Sequence, residues 1–233
     1  MTPLSYSVSR PADLPAALDA VGLALRMPAL VIVGGAGGMS PELILDTGVF
    51  FENYVVPFVI QNNIAVIDGG TNAGVMEAIG LARANYKASF PLIGVVVESL
   101  VRSQEAILQK DHSHFFYVPG ESWGDEVKWL AATATALTGA AALNGHVAPS
   151  ATILINGGNI AWNDVEASIA AGRPVFVAEG SGRTADAISK TLAGTEISTR
   201  AVKLLASGKF ITINPYVFPE KFMAALSKIY LPA

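Results

Sequence analysis

The run at 179–186, with the sequence Glu-Gly-Ser-Gly-Arg-Thr-Ala-Asp, contains residue types well suited to holding a phosphate. Ser181 and the neighbouring glycine amides can donate hydrogen bonds to phosphate oxygens, and Arg183 can clamp them with a bidentate guanidinium. Asp186, three residues further on the same helical face, can pair with Arg183 or cap the helix amides. Helix capping alone is the alternative, and the two roles are compatible. The ligand-binding candidates in this run are Glu179, Gly180, Ser181, Gly182, Arg183 and Asp186.

Three other apolar runs, at 29–34, 64–68 and 151–156, also end on small residues. A glycine turn at the carboxyl end of a buried strand lets backbone N–H groups and a helix amino terminus approach an anion. A tight strand-to-helix turn without a ligand is the alternative for each. We expect the following residues of these turns to bind a ligand: Gly34, Gly35, Gly37, Gly38, Gly69, Gly70, Thr71, Asn72, Gly74, Gly157, Gly158 and Asn159.

Two familiar nucleotide motifs are incomplete in these turns. Val75 follows Gly74 at the position where a P-loop requires lysine, which disfavours a P-loop NTPase. The first turn resembles a dinucleotide fingerprint, but Ser40 replaces its third glycine, and Asp68 comes too late to be the acidic ribose ligand. The turns therefore indicate a phosphate-bearing ligand held in another way.

Two of the three histidines, His112 and His114, lie in one short segment and share a face if that segment is extended. Such a pair is typical of a metal site, but no cysteine or paired histidine supplies a third ligand. We therefore predict no metal, and expect both histidines to line the ligand cleft. A purely structural role is the alternative.

Two glutamates are candidates for acid/base chemistry. Glu126 lies where a long helix begins, so it can face the cleft or cap the helix. Glu166 follows the turn at 157–158 on the next helix. Trp123 and Trp162 flank the predicted ligand loops, where an indole can stack on a base or simply pack.

The elements that must position these residues alternate between strand and helix. Alternation of this kind predicts βαβ units, hence a Rossmann-like, doubly wound α/β fold whose mostly parallel sheet carries helices on both faces. We expect one domain over 1–233, with a core at about 28–218 and a terminal helix at about 219–230. The predicted strands are 29–34, 64–68, 91–98, 114–118, 151–156, 174–178 and 210–214, and the predicted helices are 40–62, 73–86, 124–143, 162–171, one from 183, and 197–207.

Composition narrows the classes of function. The 233 residues carry a net charge of -4 without a basic cluster, so we expect no nucleic-acid partner. Cysteine is absent, and the amino terminus lacks the pattern of a signal peptide. We predict a cytoplasmic protein with no membrane partner. Because 52% of the residues are hydrophobic, an apolar oligomer interface is one explanation, and we expect a homodimer or higher homo-oligomer.

Five segments together resemble the SLOG superfamily, and in particular its LSDAT branch, found in prokaryotic proteins and in the amino-terminal cytosolic region of TRPM channels. They are Ile-Asp-Gly-Gly-Thr-Asn-Ala-Gly at 67–74, Asp-His-Ser-His-Phe-Phe at 111–116, Trp-Gly-Asp-Glu at 123–126, Asn-Gly-Gly-Asn at 156–159 and the run at 175–186. They occur in the family's order over about 28–195. This chain resembles the stand-alone prokaryotic type.

The resemblance implies a Rossmann-like domain that senses or processes ADP-ribose or another NAD-related nucleotide, with no further cofactor required. Catalytic relatives, the LOG phosphoribohydrolases, carry Pro-Gly-Gly-x-Gly-Thr-x-x-Glu. This chain departs from that pattern, because Asn-Ile-Ala-Trp follows the glycines at 157–158 and the first glutamate is Glu166. No arginine matches the catalytic one upstream. We therefore favour binding. The alternatives are an N-glycosidic hydrolase of nucleotides, with Glu166 or Glu126 as acid/base, and an oligomeric assembly protein with a vestigial site.

Overall fold

The computed structural model describes residues 2–139 and 147–231. Eight strands form one sheet in the order β1-β5-β4-β3-β2-β6-β7-β8, and each adjacent pair is parallel. This confirms the predicted α/β class. The strands are β1 (Leu4–Ser7), β2 (Ala29–Gly34), β3 (Ala65–Asp68), β4 (Leu92–Val97), β5 (His114–Val118), β6 (Ser150–Ile155), β7 (Val175–Ala178) and β8 (Phe210–Ile213).

Helices cover both faces of the sheet. Because alternate residues of a strand point to opposite faces, Leu30 and Ile32 of β2 join one core while Val31 and Val33 join the other. The helices are α1 (Leu14–Ala20), α2 (Pro41–Phe50), α3 (Val56–Gln61), α4 (Gly74–Asn85), α5 (Glu98–Arg102), α6 (Val127–Leu137), α7 (Asn159–Ala170), α8 (Arg183–Ala193), α9 (Thr199–Leu205) and α10 (Pro219–Tyr230). The buried side chains of α2, α3, α4 and α10 pack on one face, and those of α1, α5, α6, α7, α8 and α9 pack on the other.

A π-helical segment, Phe51–Val55, joins α2 to α3. Pro57 follows it, and proline both removes an N–H donor and crowds the carbonyl four residues earlier, which explains the wider turn. By length and composition alone the stretch Pro41–Gln61 is apolar enough to cross a membrane. Here it packs against α10, with the rings of Phe50 and Phe222 edge to face at 5.3 Å.

Sequence patterns place most boundaries within a few residues, but they did not predict α1 or α5, and β1, α7 and α6 also differ. Strand β1 was not predicted, because its exposed residues carry no core pattern and pair only with β5 at the sheet edge. Helix α7 begins at Asn159 rather than 162. Helix α6 begins at Val127, because a turn with Gly124 at a φ of 102° precedes it. The predicted end of that helix, at Leu143, and His146 lie outside the described residues.

Candidate functional site

A cavity of about 320 Å³ lies where β2 neighbours both β3 and β6. The chain first builds outward from β2 through β3, β4 and β5, and then crosses to the other side of β2 with β6. Such a switch point opens a crevice at the carboxyl ends of the strands, where α/β sheets bind ligands. Eight of the predicted ligand-binding residues line the cavity: Gly34, Gly37, Gly38, Gly69, Thr71, Gly158, Asn159 and Arg183.

The first wall of the cavity is the turn after β2. Here the backbone must pass very close to the start of α4, because the carbonyl of Gly35 accepts a hydrogen bond from the Val75 N–H at 3.0 Å. Gly74 has a φ of 53°, and a Cβ there would lie 2.7 Å from the Cα of Ala36. Gly35 and Gly74 therefore serve this close approach and do not line the cavity.

The second wall is the turn after β6 and the start of α7. Gly158, Asn159, Ile160 and Ala161 line the cavity, and no side chain caps the amino terminus of α7. The first N–H groups of a helix have no intrahelical acceptor. This terminus therefore presents backbone donors and the positive end of the helix dipole to a ligand.

Arg183 joins these two walls. A Cβ on Gly158 would lie 3.0 Å from one guanidinium nitrogen, and a Cβ on Gly38 would collide with the other. Both positions need glycine for the side chain to lie across them. The guanidinium forms no hydrogen bond or ion pair within the part of the chain that the structure describes. An arginine held between two glycine turns, with its charge uncompensated, suits a phosphate or carboxylate.

Ser181 does not face the cavity, which corrects its predicted role as a phosphate ligand. It is buried, accepts a hydrogen bond from the Asn156 N–H at 2.7 Å and donates one to the Ala178 carbonyl at 2.6 Å. The Asn156 side chain donates to the Ser181 carbonyl at 2.6 Å. These bonds tie the turn after β6 to the turn after β7. Ser181 thus helps to place Arg183 without touching the ligand space.

The first amides of α8 are also occupied. The N–H of Ala185 donates to the Asn156 carbonyl at 2.9 Å, and the N–H of Thr184 donates to the Gly157 carbonyl at 3.4 Å. Asp186 accepts a hydrogen bond from the Gly180 N–H at 2.8 Å, so it caps the turn and does not pair with Arg183. Of the whole run at 179–186, only Arg183 reaches the cavity.

Two carboxylates line the remaining part of the cavity, Glu126 and Asp164. Burial, together with the smaller effect of the negative charge of Glu126, raises the pKa of Asp164 to about 7. Burial likewise raises the pKa of Glu126, although the Gly124 N–H, which donates to its carboxylate at 2.8 Å, opposes the shift. Both carboxyl groups therefore keep a proton to a higher pH than freely exposed acids do.

The two tryptophans that were expected beside the ligand lie in different environments. Trp123 lines the cavity and is 47% exposed, so its ring is open to a ligand at the rim. Trp162 is half-buried, and the guanidinium of Arg200 lies 5.2 Å from its ring centre. Trp162 is therefore engaged in packing on the other side of α7 and does not line the cavity.

His112 and His114 do not line the cleft, contrary to expectation. His112 is buried, and its Nε2 lies 2.8 Å from Oδ1 of Asp68. His114 lies at the amino-terminal end of β5, where its Nδ1 lies 2.8 Å from the Ser113 hydroxyl and burial lowers its pKa. Within the described ranges no cluster of three or more metal-ligating side chains occurs.

Several other predicted site residues lie beside the cavity rather than in it. Gly70 and Asn72 hold the turn after β3, where Gly70 donates to Asp68 and the Asn72 N–H donates to the Ile107 carbonyl. Glu166 is exposed on α7 and does not line the cavity, so the geometry gives it no contact with a ligand there. Four other predicted ligand-binding residues also do not line the cavity: Gly157, Glu179, Gly180 and Gly182.

Comparison with models of protein families identifies the family of this chain. The family described as "SLOG in TRPM, prokaryote" (LSDAT_prok) matches residues 27–221, which is most of the sequence. The chain belongs to this family. The predicted SLOG/LSDAT resemblance is thereby confirmed. No curated protein matches the sequence at a significant level.

The SLOG/LSDAT domain is similar in fold to solved structures of low sequence identity. The structural genomics target TM1055 is 18% identical, with a TM-score of 0.57 over 85% of this chain and 99% of that one. The molybdenum cofactor carrier protein of Chlamydomonas reinhardtii is 12% identical, with a TM-score of 0.54 over 85% and 99%. The molybdenum cofactor binding protein of Rippkaea orientalis is 12% identical, with a TM-score of 0.50 over 79% and 98%.

Asp164 is a carboxylate in the cavity lining of this SLOG/LSDAT domain that the sequence analysis did not select. The selection of Glu166 rested on its being the first glutamate after the glycines at 157–158. Helical spacing provides a better signal, because Asp164 is three and four residues beyond Ala161 and Ile160, which line the cavity. Since α7 begins at Asn159, these three side chains share one face.

Proposed function

We propose that this SLOG/LSDAT domain binds a nucleotide-derived ligand, ADP-ribose or another NAD-related nucleotide, in the cavity at the β2–β6 switch point. The observation that carries the proposal is the placement of Arg183, which crosses Gly38 and Gly158 at the cavity and has no partner within the described ranges. An uncompensated guanidinium beside an uncapped helix start is an anion site.

Each part of the cavity has a role in this proposal. Arg183 and the first amides of α7 hold the phosphate, and the glycine turn after β2 lets the ligand approach the backbone closely. The apolar lining, with Trp123 at the rim, receives the base and sugar. Two fold neighbours are named for binding or carrying the molybdenum cofactor, which is consistent with a small-molecule ligand.

Calorimetric titration tests the proposal. We expect ADP-ribose, NAD or AMP to bind, and adenosine, which lacks phosphate, to bind at least about tenfold more weakly, a difference of about 1.4 kcal/mol. Arg183→Ala removes that preference for phosphate. Arg200→Ala is the matched control, because Arg200 is bonded to Asn163 outside the cavity. Equal binding of adenosine and AMP, or an unchanged affinity in Arg183→Ala, would contradict the proposal.

A hydrolase is the second candidate, favoured by the raised pKa of Asp164 in the cavity. A carboxylic acid half-protonated near neutral pH is a suitable general acid. In an N-glycosidic hydrolysis the bond from C1′ to the base breaks and the carboxylic acid protonates the departing base. Water then adds its oxygen to C1′, and the proton that it loses returns to the carboxylate and restores the acid. Chromatography of NAD, ADP-ribose and AMP after incubation decides this, since free base must appear and must disappear in Asp164→Asn. Unchanged nucleotides exclude it.

A further inference from the structure

The cavity holds charges of both signs that do not neutralise one another. Arg183, Glu126 and Asp164 all line it, yet within residues 2–139 and 147–231 the arginine forms no salt bridge with either carboxylate. Burying charged groups that do not pair with each other costs desolvation free energy. A ligand that carries complementary groups offsets this cost when it binds. If Arg183 takes the phosphate of the proposed ligand, the acids must meet a different part of the same molecule.

The acids have unused capacity to accept hydrogen bonds. Asp164 makes no hydrogen bond with any described residue, and Glu126 interacts only with backbone N–H groups, its own and that of Gly124, which donates to Oε2. Ionised carboxylate oxygens are acceptors only, and a protonated carboxyl adds one O–H donor. A group that fits beside this pair therefore presents donors on one edge, with room for an acceptor next to them.

The surroundings of the pair suit a flat ring better than a sugar. Leu130, Ile160 and Ala161 line the same cavity, and the Trp123 ring lies at its rim. A ribose carries oxygens on several sides, which would face this apolar lining without partners. An aminated heteroaromatic base carries its polar groups on one edge, and its faces are apolar enough to pack on aliphatic and indole surfaces.

We propose that Glu126 and Asp164 read the edge of a planar base through its exocyclic amino group, so that this site selects amino-substituted bases of the adenine or guanine type. The inference rests on the proposed nucleotide-binding function and adds the specificity-determining residues. The raised pKa of each acid is consistent with it, because N–H donors from a base would stabilise the ionised form that burial disfavours.

Matched nucleotide pairs provide the test. AMP is compared with purine riboside 5′-monophosphate, and GMP with IMP, since each pair differs only in the exocyclic amino group. We expect wild-type protein to bind the amino-bearing member at least about tenfold more tightly in one pair, as one charge-assisted hydrogen bond predicts. In Asp164→Ala or Glu126→Ala the preference is expected to fall below about threefold, because the hydrogen bond from the amino group to that carboxylate is lost.

Ribose 5-phosphate separates this inference from the proposed function. It reports on the Arg183 end alone, so its affinity is expected to be the same in wild type and in both alanine variants, which also shows that they are folded. Equal binding of both members in each pair, or a preference that survives in both variants, overturns base reading while phosphate binding stands. If neither ribose 5-phosphate nor any nucleotide binds, both proposals fall.

Discussion

The imidazole Nε2 of His112 lies 2.8 Å from Oδ1 of Asp68, and both side chains are completely buried. The other ring nitrogen, Nδ1, lies 3.2 Å from Oε1 of Gln109. That oxygen is an acceptor, because the Asp111 N–H also donates to it at 2.7 Å. Asp68 in turn accepts from the Gly70 N–H at 2.7 Å, so the histidine holds the turn that brings Gly69 and Thr71 to the cavity.

Replacing His112 by phenylalanine is expected to destabilise the fold by about 3 kcal/mol, since it leaves the buried Asp68 carboxylate with only the Gly70 N–H. Urea unfolding measures the loss. His114→Phe is the control, because His114 is half-buried and bonded to a serine hydroxyl. A loss in His112→Phe no greater than in His114→Phe would show that the buried pair contributes nothing specific.

Two buried serines near the site allow a matched comparison. Ser181→Ala removes the acceptor for the Asn156 N–H and the donor to Ala178, so we expect a loss of about 1–3 kcal/mol in unfolding free energy. Ser189 is also buried, but its hydroxyl has no partner in the described part of the chain, so Ser189→Ala should be neutral or stabilising. If Ser181→Ala and Ser189→Ala have the same effect on thermal unfolding, the hydrogen bonds of Ser181 between the two turns do not contribute to stability.

A methyl group at position 38 tests whether the position of the Arg183 guanidinium matters for ligand binding. Gly38→Ala places a Cβ against the guanidinium, and because that group ends a flexible side chain, it can move without unfolding the protein. We expect affinity for a phosphate ligand to fall about three- to tenfold, or about 1 kcal/mol. Gly48→Ala in α2 is the control, since a Cβ there meets nothing within 4 Å and Gly48 does not line the cavity. Calorimetry in which both variants bind equally well would refute this account of the arginine.

Asp164 predicts a dependence of stability on pH. Its pKa is about 7 in the folded protein and about 4 in an unfolded chain, so its ionisation between those pH values opposes folding. Relative to Asp164→Asn, wild type should lose up to about 4 kcal/mol as pH rises from 4 to 8. Urea unfolding at several pH values measures this, with Glu166→Gln as the control for removing an exposed charge from α7. Parallel curves for wild type and Asp164→Asn would contradict the prediction.

The general position of the site was predictable because buried parallel strands have a distinctive pattern. Apolar runs that end on glycine place several turns at one edge of a sheet, and this is where Gly38, Gly158 and Arg183 meet. The five family-specific segments then indicated the superfamily. Both signals are local in sequence, so a single sequence contains them.

The separation of contact residues from supporting residues could not be predicted in the same way. Ser181 and His112 have the chemistry of ligand groups, but their partners, Asn156 and Asp68, are 25 and 44 residues away in the chain. Only the packing of neighbouring strand ends decides whether such a side chain faces a backbone group or a cavity. Asp164 was missed for a local reason, namely that the start of α7 was placed three residues too late.

The strand order also determines how the sheet can assemble as the chain is made. From β2 the sheet grows through β3, β4 and β5 on one side and then through β6, β7 and β8 on the other, so each of these strands meets a partner synthesised before it. Strand β1 is different, because among the described strands Leu4–Ser7 pairs only with β5, more than a hundred residues later. Strand β1 is made before its partner, so it can join the sheet only after residues 114–117 have been synthesised and have paired with β4.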